Sequence, residues 1–278
     1  MIKLNQKPFF ISATILLAAS SLSGCGTATT QKGTVGIERT QLMLVSEEQI
    51  MQGGKAAYAE VLGKAKEEKT LNTNPKLTKR VRLIADRLIP QTGVFRADAP
   101  KWDWEVNVLE SEQLNAWCMP GGKIAFYTGI IEKLNLTDAE IAAIMGHEMA
   151  HALREHSRER ASQQVAQQTG LAVLGAVTGM GQVGMDLTSL AMNVTLTLPN
   201  SRTHETESDR IGVELAARAG YDPYAAISLW QKMGKATEGG KTPELLSTHP
   251  SHDSRIQDLQ KYAKKVEPLY LAAKKQFK

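Results

Sequence analysis

Cysteine is nearly missing from this chain, which carries 2 in 278 residues, Cys25 and Cys118. A disulfide framework is excluded as the main source of stability, so a packed core must supply it. Aromatic residues are sparse at 5 %, and histidines number only 6, few enough to weigh one by one. Charge of one sign does not dominate either. A formal net charge of +4 is too small an excess to argue for a nucleic-acid partner. No internal repeat is visible, and no uninterrupted apolar run has the length of a comfortable membrane span. The most tempting stretch, 165–198, is rich in Ala, Gly, Leu, Val and Met, but Gln182, Asp186, Asn193 and five glycines interrupt it. It reads as a pair of loosely packed helices or a mobile lid rather than a membrane-inserted segment.

What is present begins at the N-terminus. Lys3 and Lys7 precede an apolar run from Pro8 to Leu22, followed by Ser23-Gly24-Cys25. Basic, apolar and small-residue zones in that order describe a signal peptide. The Leu-Ser-Gly-Cys ending resembles a bacterial lipoprotein signal, which implies removal of residues 1–24 and a lipid on Cys25. Gly26 after the cysteine favours the outer membrane, with the protein facing the periplasm. The removed segment holds two lysines and no acid, so about 254 residues with a formal charge of +2 remain. Cys118 is then the only thiol, and residues 25–45, small and polar at the start, read as a flexible lipid-anchored tether.

Beyond the tether the pattern is α+β and mostly helical. Ser46 and Gln49 form a capping pair for a helix to about Lys69. Asn74-Pro75 opens another, with Leu77, Val81, Ile84 and Leu88 at helical spacing. Residues 102–109 alternate as a strand. Gly121-Gly122 turns into a second strand over 123–128. Thr137 or Asp138 caps a long helix reaching about Glu159. Ser201 to Gly220 and Tyr224 to Met233 are further helices, and the basic tail from Ser254 onward is helical too. The domain boundaries expected are 46–265 for the main domain and 266–278 for a basic C-terminal tail.

Within the helix from 138 lies His147-Glu148-Met149-Ala150-His151. At about 100° per residue the two histidines sit roughly 40° apart on one face. Both imidazoles can reach one metal ion, and Glu148 can hold a water for attack. Three protein ligands and one open position on zinc make a hydrolytic site. The third ligand must come from elsewhere. His156 lies about 180° around the helix from His147, and reads as a surface or second-layer residue. A better candidate is the helix starting after Ser201. Glu205 and Asp209 share a face there, with Gly212 almost in line. Such a face can press against another helix while pointing a carboxylate at its metal, with Asp209 accepting the spare N–H of a ligand histidine.

Several blocks now align with a family. Asn115-Ala116-Trp117, Pro120-Gly121-Gly122-Lys123-Ile124, Gly146 to His151, Ser201-Arg202 with Glu205 and Asp209, Ala219-Gly220-Tyr221-Asp222-Pro223, His249-Pro250 and Arg255-Ile256 resemble the CAAX-prenyl-protease-like zinc peptidases, metallopeptidase family forty-eight. The resemblance covers roughly residues 74–260 and is greatest to lipid-anchored or periplasmic bacterial members rather than multi-spanning ones. It implies a zincin-like (gluzincin) fold whose small sheet lines the active-site cleft with its edge strand. One zinc ion per chain would be held by His147, His151 and Glu205, with Glu148 as general base. Ser208 and Cys118 depart from the family pattern. Asn115, Ala116 and Trp117 belong to the strand beside the cleft, where substrate can add as an extra strand. Cys118 is either a buried apolar residue or a latent zinc ligand. His249 would stabilise the oxyanion, fill the open coordination position, or lie on the surface. Arg202 would face the carboxylates or the tetrahedral intermediate, or form a structural salt bridge. His204 points away from the metal, and His252 has no counterpart. The expected function is metalloendopeptidase action on misfolded or unassembled envelope proteins, with outer-membrane assembly machinery as a possible partner. The rival reading is a lipid-anchored chaperone or assembly scaffold with a structural zinc, which would have no use for Glu148.

Overall fold

The computed structural model describes residues 26–178, 186–237, 243–250 and 254–276. The signal segment, Cys25 and His252 lie outside the described residues. Two short strands, β1 (Gly26–Thr27) and β2 (Gln41–Leu42), pair antiparallel near the N-terminus. Helix α1 (Glu47–Glu67) follows, started by the Ser46–Gln49 capping box. Helix α2 (Pro75–Leu88) starts where Asn74 accepts the Leu77 N–H and Pro75 occupies the first turn, a position where its missing donor costs nothing.

A three-stranded sheet comes next: β3 (Glu105–Leu109), β4 (Ala116–Met119) and β5 (Lys123–Tyr127). The spatial order is β3-β5-β4, with β3 parallel and β4 antiparallel to β5. β4 is therefore an edge. Gly121 and Gly122, at φ 82° and 81°, make the β4–β5 turn in the left-handed region, and a Cβ at Gly122 would strike the Trp104 ring at 2.6 Å.

After the short α3 (Thr128–Lys133) comes α4 (Asp138–Leu153), capped by a Thr137–Glu140 box. α4 sits at the centre of the molecule, and every residue from Glu140 to Leu153 is buried. Each fully buried Ile or Met on it contributes about 1.5–3 kcal/mol. Around it pack α7 (Arg202–Arg218), α8 (Ala225–Thr237), α2 and β4, while α10 (Arg255–Lys274) covers α7. Between them run α5 (His156–Thr178), α6 (Leu187–Met192), a π-helical turn (Asn193–Thr197) and α9 (Glu244–Thr248).

Three boundaries differ from the expectation. Residues 26–45 are no loose tether: Thr30, Val35, Ile37, Gln41 and Val45 are buried. The reason is charge. Glu214 is fully buried and accepts the Thr34 and Val35 N–H groups, and Arg39 reaches Glu159 and Glu207. Buried acids need several partners, and this segment supplies part of the set that Arg218, Arg154 and His204 begin. Second, the helix expected to run to Glu159 breaks at Glu155, whose φ is 51°, and α5 restarts at His156. Third, residues 266–274 continue α10 with Val266 and Ala273 buried, so the domain does not end at 265. The stretch 187–198 packs on α1 through Leu190, Ala191 and Val194 against Val45 and Ile50. Among the described residues no helix is long and apolar enough to cross a membrane.

Candidate metal centre

α4 and α7 approach so closely that only glycine fits at their crossing. A Cβ on Gly212 would lie 2.7 Å from the His147 backbone nitrogen, and one on Gly146 would lie 2.7 Å from the Gly212 carbonyl oxygen. This contact brings the carboxylate face of α7 against the histidine face of α4. Gly212→Ala should push the helices apart, costing about 1–3 kcal/mol as overpacking and loosening metal binding as well. Thermal unfolding with metal analysis checks it; a variant unchanged in both would mean that the crossing does not set the site.

Four ligand atoms converge there. The Nε2 atoms of His147 and His151 are 3.1 Å apart, and His249 Nδ1 lies 3.2 Å from His147 Nε2. Glu205 Oε2 is 3.4 Å from His147 Nε2, and its Oε1 is 3.3 Å from His151 Nε2 and 3.0 Å from His249 Nδ1. Corners of a tetrahedron around zinc with ligands at about 2.0–2.1 Å lie roughly 3.3–3.4 Å apart. The donor set matches that spacing, and its four residues form a group able to hold a metal ion. Glu205 Oε2, fully buried, accepts no hydrogen bond of good geometry and faces Arg255 Nη2 at 3.1 Å and His147 Nε2 at 3.4 Å.

The electrostatics agree. Burial works against a charged His147, yet Glu205 and Asp209 push its pKa up to about 10. Burial would raise Glu205, but His249 and His147 hold it well below the ordinary carboxylate range. Burial pushes His151 the other way, well below the usual imidazole range, so the carboxylates favour positive charge at His147 and not at both histidines. Glu148 moves the other way: burial raises it, only partly opposed by His249 and His147. The Cys118 backbone on β4 opposes the rise slightly as well, while Oε1 is buried without a hydrogen-bond partner.

Supporting groups fix each ligand. His147 Nδ1 donates to Asp209 Oδ1 at 2.9 Å. Asp209 also accepts from Arg255 Nη2 at 2.7 Å, and the same guanidinium lies 3.1 Å from Glu205 Oε2 and stacks 3.3 Å over Trp230. Arg255 thus occupies the place expected for Arg202, which is exposed at the first turn of α7. An N-terminal-turn residue points outward here because the same turn commits His204 and Glu205 inward. Arg255-Ile256 stood among the aligned blocks, but nothing in its spacing marked the arginine. Arg160 was also unforeseen; burial lowers its pKa to about 10 despite Glu205 and Glu148 nearby.

On the other side, His151 Nδ1 meets His156 Nδ1 at 2.9 Å, and His156 Nε2 meets Glu207 Oε2 at 3.0 Å. The break at Glu155 turns His156 back behind His151, so His156 is fully buried rather than on the surface. His204 stacks on His156 with ring centroids 4.2 Å apart and bonds Glu159, not the metal cluster. His156, Glu159 and His204 form the second group of metal-ligand type among the described residues. Its members are already paired with His151, Glu207, Arg39 and Gln41. Cys118 lies in the core, where burial and Glu148 push its thiol well up; its backbone, not its sulfur, serves the site. Ala116 and Trp117 are buried, Trp117 edge-on to Tyr58, and Asn115 accepts the Tyr127 N–H through its carbonyl.

With this geometry in place, residues 75–263 match peptidase family M48. The chain belongs to peptidase family M48. Members of this family are zinc metallopeptidases, and the converging histidines and glutamate supply a donor set to suit. Curated relatives include the mitochondrial metalloendopeptidase OMA1 of Arabidopsis thaliana, 39 % identical over 153 residues, covering 55 % of this chain and 30 % of the relative. That of Schizosaccharomyces pombe is 33 % identical over 208 residues, 74 % of this chain and 58 % of the relative. The beta-barrel assembly-enhancing protease of Escherichia coli (strain K12) is 26 % identical over 241 residues, 82 % of this chain and 47 % of the relative. The chain thus spans between about a third and three fifths of the length of these M48 relatives. They correct one expectation. The outer-membrane placement read from residues 22–26 is overturned, because the relatives of higher identity are mitochondrial metalloendopeptidases.

Proposed function

We propose that this chain is a metalloendopeptidase that holds one zinc ion on His147, His151 and Glu205 and hydrolyses peptide bonds with Glu148 as general base. The observation that carries the reading is the tetrahedral spacing of buried donor atoms beside an unpartnered Glu148 oxygen. When bound, zinc supplies Lewis acidity to the attacking water and to the scissile carbonyl. Glu148 takes the proton of that water and returns it to the leaving amine; its raised pKa brings it closer to the range where both transfers run. Asp209, held by Arg255, keeps the Nδ1–H of His147 turned outward so that Nε2 faces the centre. A structural-zinc scaffold is the weaker reading, since it leaves Glu148 without a task.

The substrates proposed are misfolded or unassembled proteins of a bacterial envelope, reached as extended chain beside β4. Support comes from the packing of the edge strand β4 against α4, the helix that carries the base, and from the beta-barrel assembly-enhancing proteases among the relatives. The four donors, with Glu148, are almost wholly buried in this conformation. His249 stands at the fourth corner, 3.0 Å from Glu205 and 3.4 Å from Glu148, where the attacking water must sit. We therefore assign it the blocking role over the oxyanion role. His249→Ala should raise turnover on an unfolded protein such as casein several-fold with zinc content unchanged, and a chelator should abolish that turnover until zinc is restored. A drop of roughly a hundredfold would instead mark an oxyanion donor.

A further inference from the structure

The second zinc histidine is tied to the N-terminal strap by an unbroken chain of polar contacts, buried as far as Glu207. His151 presents Nε2 to the donor cluster, so its Nδ1 carries the proton and donates to His156 Nδ1 at 2.9 Å. His156 must then carry its own proton on Nε2, which donates to Glu207 Oε2 at 3.0 Å. Glu207 is clasped in turn by two guanidiniums. Arg154 Nε reaches Oε2 at 3.1 Å, while Arg39 gives Nε to Oε1 at 2.7 Å and Nη2 to Oε2 at 3.2 Å. The other edge of Arg39 holds both oxygens of Glu159, at 2.6 and 2.8 Å. Glu159 accepts from His204, whose ring stacks on His156.

We propose that Arg39, on the N-terminal strap formed by residues 26–45, is a positioning residue for the metal centre, setting the orientation of His151 through Glu207 and His156. The proposal rests on the ligand assignment above. Its physical basis is that a ligand imidazole rotates about two bonds unless its spare N–H is held, and the holder is itself held here by a planar fork. Arg39 is only partly buried, with a side-chain exposure of 32 %; it binds Glu207 and Glu159 at the same time, so its loss leaves Glu207 to Arg154 alone and Glu159 to Gln41 alone beside the stacked His156–His204 pair. The Arg39–Glu207 contact and occupancy of the metal site are then coupled, each strengthening the other, whereas strap contacts outside this relay are not. A strap that served stability alone would show no such coupling.

The test is zinc affinity, measured on the full chain by competition with a chromophoric chelator. Arg39→Ala should weaken zinc binding roughly ten- to a hundredfold, with Arg39→Lys intermediate because it keeps the charge and loses the fork. Ser162→Ala is the control. Ser162 accepts the Leu44 and Val45 N–H groups, so this change loosens the strap without touching the relay. It should lower the unfolding temperature and leave zinc affinity within about twofold of the parent. Unchanged zinc affinity in Arg39→Ala, or equal weakening in Ser162→Ala, overturns the proposal. If Arg39→Ala does not fold, Arg39→Lys carries the same comparison. His151→Ala run alongside separates the two levels: if it retains zinc, the ligand assignment has failed; if it loses zinc while Arg39→Ala does not, only the positioning role has.

Discussion

Glu148→Gln is expected to lower peptide hydrolysis by about 10²–10⁴-fold, the usual contribution of a positioned base, while zinc stays at one ion per chain. Glu148 is not among the four converging donors, so metal binding has no need of its charge. Glutamine keeps the shape and the volume of the side chain in this buried place. What it removes is the proton acceptor at Oε1, the atom without a hydrogen-bond partner. Cleavage of an unfolded protein, followed together with metal content, checks the result. Full activity in this variant would return the site to a structural role, whereas lost activity with lost zinc would make Glu148 a ligand. If the variant binds substrate without cutting it, it also serves as a trap for natural substrates.

Glu205→Ala should be the most damaging change to metal binding, weakening zinc on the order of a hundredfold or more, because one of the few bonds that fix the ion is removed. It also leaves His147, His151 and His249 nitrogens facing one another with no anion between them. Arg255 would retain only Asp209 as a carboxylate partner. The adjacent acid gives the contrast. Glu207 faces away from the donors toward His156, Arg154 and Arg39, so Glu207→Ala should weaken zinc through His151 without removing a ligand. Chelator competition on both variants distinguishes them. Zinc retained in Glu205→Ala but lost in Glu207→Ala would reverse the assignment of the two glutamates.

Local periodicity made the first half of the site legible. His147 and His151 share a face because of helix geometry alone, and Glu205, Asp209 and Gly212 line up on theirs for the same reason. The glycine's use as a crossing point followed from its place on that face and is seen in the Gly146–Gly212 contact. Helix starts at Ser46, Asn74, Thr137 and Ser201 were legible too, since a capping side chain acts within three residues. The tether was misread for the opposite reason. A small, polar segment looks solvated until buried acids elsewhere in the chain require its donors, and Glu207, Glu159 and Glu214 lie more than a hundred residues away.

The sequence by itself determined the chemistry on offer: a pair of histidines and a base on one helix, a carboxylate face with a glycine on another, and membership of a zinc peptidase family in the blocks that join them. Only the tertiary structure decided which remaining groups complete the site. His249, Arg255 and the relay through His156, Glu207 and Arg39 come from the end of α9, from α10, α5 and α7, and from the N-terminal strap, brought together across separations where no periodicity operates. A buried charge selects its partner by proximity in space, since an unpaired one costs several kcal/mol. That selection is made when the helices pack around α4, and no spacing along the chain records it.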